Sequence, residues 1–242
     1  MRLLILSDIH GNLTALDSVL SHVYNGILPD AFVLLGDNID YGPRSNEVIS
    51  KLSSMEIPLA CSVWGNHEEA IFEGDFSRFS SSRGVSSAKY TAGQLSGKSI
   101  GWIQSTSDRR GCASFSCSGK KFLAVHGSIE DPYWGTIAPA SVSASDYRDY
   151  DIVLSGHSHV PHVFGAFYDV DNPELRGKEV VEFINPGSVG QPRNRDPRAS
   201  YAIWDSEHGV SLFTVSYDIE KEQEFFDGGI DEFYSSRLKY GV

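Results

Sequence analysis

Cysteine is scarce in this sequence. Its three copies are an odd number in 242 residues, which excludes the disulfide framework of a small secreted domain. Cys112 and Cys117 lie five apart in a segment that reads as a strand, so their side chains point to opposite faces and pair poorly. A reducing cytoplasm is the expected compartment. Basic residues are also in deficit: 20 Lys and Arg against 32 Asp and Glu give a formal charge of −12. That excludes coating nucleic acid through a basic face, and no stable nucleic-acid complex is expected. Long apolar runs are missing as well. Leu3 to Leu6 stops at Ser7 and Asp8, far short of the roughly 20 residues of a bilayer span or the 7 to 15 of a signal core, so no membrane association is expected. What is present, 40% hydrophobic and 21% charged residues, is the composition of a globular domain able to bury a core.

Short unbroken apolar runs at Leu3 to Ser7, Ala31 to Leu35, Leu59 to Val63, Phe122 to Val125 and Ile152 to Leu154 read as strands buried on both faces. Between the first two, Leu13, Leu16, Leu20 and Val23 recur at helical spacing behind Asn12, a candidate N-cap. Asn46 to Met55 is a second helical stretch. The first 65 residues thus alternate as a layered, parallel α/β unit. From Glu68 to Ser118 the pattern weakens: a Ser-rich piece, Ser77 to Ser87, precedes a helix-like segment near Gln94 to Ile103, and the whole reads as an insertion over the sheet. Val160 to Phe167, Glu179 to Ile184, Ala199 to Trp204 and Val210 to Tyr217 have strand character of a more antiparallel kind. The tail after Tyr217 reads as a peripheral acidic helical piece with Glu220, Glu222, Glu224 and Asp227 on a solvated face. One domain over 1–242 is the simplest organisation.

Nearly every buried-looking strand ends in a metal-ligand type: Asp8-Ile9-His10, Gly36-Asp37, Gly65-Asn66-His67-Glu68, His126-Gly127 and Gly156-His157-Ser158-His159. The carboxyl ends of parallel strands converge on one edge of an α/β sheet, so these five ends point to one cluster. Imidazole, carboxylate and amide oxygen without thiolate suit Mn, Fe, Zn, Co or Ni. Seven ligands exceed what one ion needs; a bridging carboxylate would let two ions sit about 3.5 to 4 Å apart. Two divalent ions against Asp8 and Asp37 leave the site positive, and an anion such as a small phosphate ester is the substrate that fits.

The order of these blocks, together with Asp37-Asn38-Ile39-Asp40-Tyr41-Gly42-Pro43 and Asn185-Pro186-Gly187-Ser188-Val189-Gly190, resembles the calcineurin-like metallophosphoesterase superfamily, in its small prokaryotic phosphodiesterase branch, over about residues 2 to 205. The resemblance implies a four-layer α-β-β-α sandwich with mixed sheets. It also implies that Asp8, His10 and His159 hold one metal and that Asn66, His126 and His157 hold the other. Asp37 would bridge them, with manganese the leading ion and a metal-bridging hydroxide the nucleophile. His67 is left over as the catalytic histidine that acts on the substrate. Protein serine/threonine phosphatases of the superfamily carry arginines where this chain has Tyr41 and Trp64; their loss tilts the reading from a dianionic monoester toward a diester or nucleotide-like substrate. A phosphomonoesterase or phosphoprotein phosphatase stays the alternative, and a non-catalytic scaffold of the retromer-subunit kind a second.

Around this set, Asn12 either touches substrate or only caps its helix. Asn38 either orients Asp37 or serves the turn. Arg193, Arg195 and Arg198 are the candidate substitutes for the absent arginines, Arg193 first. Tyr133 and Trp134 could stack on a base, with packing under the insertion the simpler role. His22 and His208 read as surface residues, and His162 as structural. Whether the chain forms homo-oligomers is left open.

Overall fold

The structure, a computed structural model, describes residues 1–242. In chain order it runs β1 (Arg2–Leu6), α1 (Leu13–Gly26), β2 (Ala31–Leu34), α2 (Ser45–Ser53), β3 (Leu59–Ser62), α3 (Asn66–Glu73), α4 (Ser82–Gln94), α5 (Gly97–Thr106), β4 (Cys112–Cys117) and β5 (Lys120–Val125). It continues with β6 (Ile152–Ser155), β7 (His162–Asp169), β8 (Lys178–Asn185), β9 (Ala199–Asp205), β10 (Gly209–Val215), α6 (Ile219–Gln223) and α7 (Glu232–Ser236).

The strands form two five-stranded sheets, ordered β10-β9-β1-β2-β3 and β4-β5-β6-β8-β7. In the first, the parallel strands β1-β2-β3 run out to the edge, where β3 is only half-buried, and the antiparallel β9 and β10 lie beyond β1; in the second, the parallel centre β5-β6-β8 has the antiparallel β4 and β7 outside it. The apolar runs are unbroken because both faces of the central strands are covered. Leu3, Ile5, Ala31 and Val33 face Phe122, Ala124, Ile152 and Leu154 of the opposing sheet. On the other side of the first sheet, Leu4, Leu6, Phe32 and Leu34 meet Leu16, Val19 and Val23 of α1 and Val48, Ile49 and Leu52 of α2. The outer face of the second sheet, with Leu123, Val125, Val153 and Phe183, is closed by Ile137 and Tyr147 from the segment before β6. This mixed α/β sandwich matches the expected class; its fourth layer is thin, a long loop with one 3₁₀ turn at Ala144–Tyr147.

Two stretches differ from the sequence reading. The helix expected near Gln94 to Ile103 is present as α5, starting three residues later, but a further helix, α4, begins inside the Ser-rich piece where none was expected, and Cys112–Cys117 is a core-sheet strand paired with β5 rather than part of an insertion. The tail is not peripheral. Ile230, Tyr234 and Leu238 are buried, and Glu222, expected on a solvated face, is buried against Arg44.

Candidate metal centre

The C-terminal ends of β1, β2, β3, β5 and β6 meet at one edge of the sandwich, where their loops are stitched together by backbone bonds. Asp8 N–H donates to Gly36 O at 3.1 Å, His10 N–H to Asp37 O at 2.9 Å, and Gly156 N–H to His126 O at 2.9 Å. These loops turn so tightly that Asp8, His10, Asp37, His157 and His159 all lie at positive φ, between 47° and 60°. That conformation is costly for residues with a Cβ and concentrates at functional sites.

The loops bring seven of the expected residues together. Ligand atoms of Asp8, His10, Asp37 and His159 lie within 4.8 Å of one another, as do those of Asp37, His126 and His157, with Asp37 common to both groups. Asn66, the first residue of α3, places Oδ1 3.0 Å from His126 Nε2 and 2.9 Å from His157 Nδ1. The second nitrogen of three imidazoles is committed to a backbone carbonyl: His10 Nδ1 to Ile39 O, His126 Nδ1 to Leu35 O and His159 Nδ1 to Gln191 O. Donation from Nδ1 leaves each Nε2 as a lone pair aimed inward.

Those lone pairs face carboxylate oxygens, His159 Nε2 3.1 Å from Asp8 Oδ1 and His126 Nε2 3.2 Å from Asp37 Oδ2, while His10 Nε2 sits 3.3 Å from His159 Nε2. Asp8 Oδ1 is buried without a hydrogen-bond partner. Acceptors converging on acceptors are stable only around a cation, and this all-N/O donor set fits a divalent transition metal. The carboxylates and imidazoles shift one another strongly. Burial opposes charge on His126, yet Asp37 outweighs it and raises the pKa to about 9. Burial would raise Asp37, but His126 and His67 hold it well below the carboxylate range. Burial and His126 push His157 down to about 3.

Glu68, a residue to which the sequence assigned no role, holds this geometry. Its buried carboxylate accepts from Asp37 N at 2.8 Å, Asn38 N at 2.8 Å and Gly65 N at 2.9 Å, tying the β2 loop to the start of α3. Asn38 itself is buried in this turn, its backbone N–H held by Glu68.

His67 stands beside the cluster, Nε2 3.9 Å from Asp37 Oδ2, with Nδ1 2.6 Å from Asp40 Oδ2. The other oxygen of Asp40 accepts from Ser87 Oγ at 2.6 Å and Thr91 Oγ1 at 2.8 Å, both on α4. Burial works against charge on His67, but Asp37 and Asp40 raise its pKa, favouring imidazolium. Asp40 was visible in the sequence block; its α4 partners carried no local signal.

A cavity of about 460 Å³ opens above Asp37, Asn66, His67, His157 and His159, the size that takes a small ligand. Tyr41, Phe79, Trp134, Phe233 and Tyr234 form its aromatic walls, and Arg78, Arg83, Arg193 and Arg237 line it. Tyr41 stacks on Tyr234 of the tail at 4.2 Å and meets His67 edge-on at 4.3 Å. Of the three candidate arginines only Arg193 reaches the cavity; Arg198 pairs with Asp196 and Arg195 is exposed. Trp134 lines it, edge-on to His157 at 5.9 Å, whereas Tyr133 packs against the core.

Asn12 is engaged elsewhere. Its Oδ1 accepts from Ala15 N at 3.0 Å as the cap of α1, and its Nδ2 donates to Gly190 O and Tyr217 Oη, leaving no donor for a substrate. His22 and His208 are exposed as expected. His162 lies outside the cavity, its Nδ1 on Val160 O. A larger groove between α2 and α5, about 700 Å³, holds no histidine and no ligand cluster. No helix is long and apolar enough to cross a membrane.

Comparison with known proteins agrees with this architecture. The family profile described as the calcineurin-like phosphoesterase superfamily domain matches residues 1–209. An uncharacterized protein of Methanocaldococcus jannaschii is 29% identical over 244 residues, covering 98% of this chain and 97% of that protein. A crystal structure of a metallophosphoesterase from Sphaerobacter thermophilus is 31% identical with a TM-score of 0.76, covering both chains fully. A hypothetical protein from Pyrococcus horikoshii OT3 shares the fold with a TM-score of 0.79 at 19% identity, covering 100% of this chain and 98% of that one.

Proposed function

The chain belongs to the calcineurin-like phosphoesterase superfamily, and from that premise we propose that it is a divalent-metal-dependent hydrolase of a small phosphodiester. The observation that carries this reading is the inward set of lone pairs and carboxylates with His67 at its open side, beneath a closed-in cavity. Asp8, His10 and His159 would hold one ion and Asn66, His126 and His157 a second, with Asp37 shared; manganese is the first candidate. When bound, such ions supply the positive charge that polarises a phosphoryl group and activates water. His67, charged and fixed through Asp40, delivers a proton from Nε2 to the departing oxygen, and the same charge stabilises the phosphoryl oxygens as negative charge builds. The diester preference is supported by Tyr41 and Trp64. Both are buried aromatics, and neither provides the bidentate clamp that a dianionic monoester rewards. The cavity and the −12 charge favour a small molecule over a nucleic acid.

The test is hydrolysis of bis(p-nitrophenyl) phosphate against p-nitrophenyl phosphate by chelator-stripped protein with and without Mn²⁺. Restored activity with preference for the diester is expected. Preference for the monoester would make the protein a phosphomonoesterase, and inactivity on both with every candidate metal would sink the hydrolase reading.

A further inference from the structure

The cavity gathers four guanidiniums against one carboxylate, Asp37, in a chain whose overall charge is −12. Two are already engaged: Arg78 pairs with Asp131, and Arg83 lies over the Phe233 ring at 4.4 Å. Arg193 enters no ion pair, and Arg237 meets only the oxygen of Val242 at the end of the chain. Arg237 is only 9% exposed; its Nε donates to Val242 O and both terminal nitrogens are left without a protein acceptor. Two guanidiniums set side by side repel each other unless an anion lies between them. Burial and then Arg193 lower Arg237 to about 10. The backbone is anchored at both positions. The Arg193 N–H donates to His159 O, and Arg237 follows α7, whose Tyr234 is stacked on Tyr41.

Two neighbouring guanidiniums with free terminal N–H groups lining the cavity beside a ligand cluster make the arrangement of an anion site. We propose that Arg193 and Arg237 form a second anion subsite, so that the substrate is a small ester or anhydride with two phosphoryl groups, one over the cluster and one on this pair. The proposal rests on the phosphoester reading and narrows its substrate class. Neither arginine occupies the positions of Tyr41 or Trp64; one follows the β8 loop and the other belongs to the tail, so the subsite exists only because the tail folds over the site.

Two measurements test it. In the first, chelator-treated protein is titrated calorimetrically with inorganic phosphate. Arg193→Gln and Arg237→Gln should each weaken binding at least about 10-fold, the loss of one charge-assisted contact. Arg198→Gln, whose side chain pairs with Asp196 outside the cavity, should not. In the second, Mn²⁺-loaded protein is assayed on bis(p-nitrophenyl) phosphate and on diadenosine diphosphate. Each arginine variant should raise KM at least about 10-fold more on the two-phosphoryl substrate, with partial recovery in Arg237→Lys. Equal KM losses on both substrates would overturn the proposal by making the pair a clamp on the scissile group, as would phosphate binding indifferent to either substitution. If the loaded wild type hydrolyses neither compound, the phosphoester reading fails, and with it the substrate claim; the titration still decides the subsite.

Discussion

At the scale of single residues, the ligands were legible because chemistry interrupts pattern. Each apolar strand run stops at Asp, Asn or His, and nothing in packing alone calls for that. Less legible was the backbone: five ligands in the left-handed region, and glycines whose purpose is clearance as much as rotation. Gly36 sits at φ +88°, whereas Gly65 is needed because a Cβ there would lie 2.1 Å from Asp37 Oδ1. Gly65→Ala should therefore displace the shared carboxylate and lower bound metal as measured by elemental analysis; full metal content in a folded Gly65→Ala protein would contradict the packing argument. His67 calls for the opposite outcome. His67→Ala should retain metal and lose roughly 10² to 10⁴ in kcat, the usual worth of a general acid, whereas Asp37→Asn should lose metal and activity together. Parallel metal loss in both variants would remove His67 from its assigned role.

At the scale of elements, α1, α2 and all ten strands were readable from periodicity, since each is long enough, or apolar enough, to show a face. The helices of 82–106 were harder. They start at serine caps, Ser81 and Ser96, and carry Gly93, Gly97 and Gly101 in open space, so propensity argued against helices that capping and packing on α2 and α3 sustain. The tail hid for another reason. In a five-residue helix one buried acid is indistinguishable by sequence from its exposed neighbours, yet Glu222 accepts from Arg44 and Thr14 N, and Arg44 also lies over Phe225 at 3.9 Å. Glu222→Ala would leave the partly buried Arg44 without its anion and should cost about 3 kcal/mol, the low end for a buried pair. Urea unfolding should show a large drop in midpoint, while Glu220→Ala, at an exposed position, should barely move it. Similar small shifts for both would mean that the buried pair does not anchor the tail.

At the scale of the whole molecule, the site lies where two sheets meet. Asp8, His10, Asp37 and Asn66 follow strands of the first sheet, and His126, His157 and His159 follow strands of the second. Apart from the apolar layer between the sheets, their edges are joined by contacts such as His157 N–H to Asp8 Oδ2 at 3.1 Å. Ions coordinated by both groups would bind the native edge-to-edge arrangement and find no equivalent in the unfolded chain, so metal occupancy becomes fold stability. At a free metal concentration about 1,000 times the dissociation constant, linkage contributes about 4 kcal/mol. For a chain of this length each kcal/mol moves the melting temperature by about 2 to 4 °C, so saturating Mn²⁺ should raise Tm by roughly 8 to 16 °C over chelator-treated protein in a calorimetric scan. The increment should vanish in Asp37→Asn, which removes one charge from the carboxylate common to both groups, and persist in His67→Ala, whose ring lies beside the cluster without belonging to either group. An unchanged Tm with metal in the wild type would show that seven converging ligands do not make a tight site, and would separate the fold, which the apolar layers sustain alone, from the chemistry assigned to its edge.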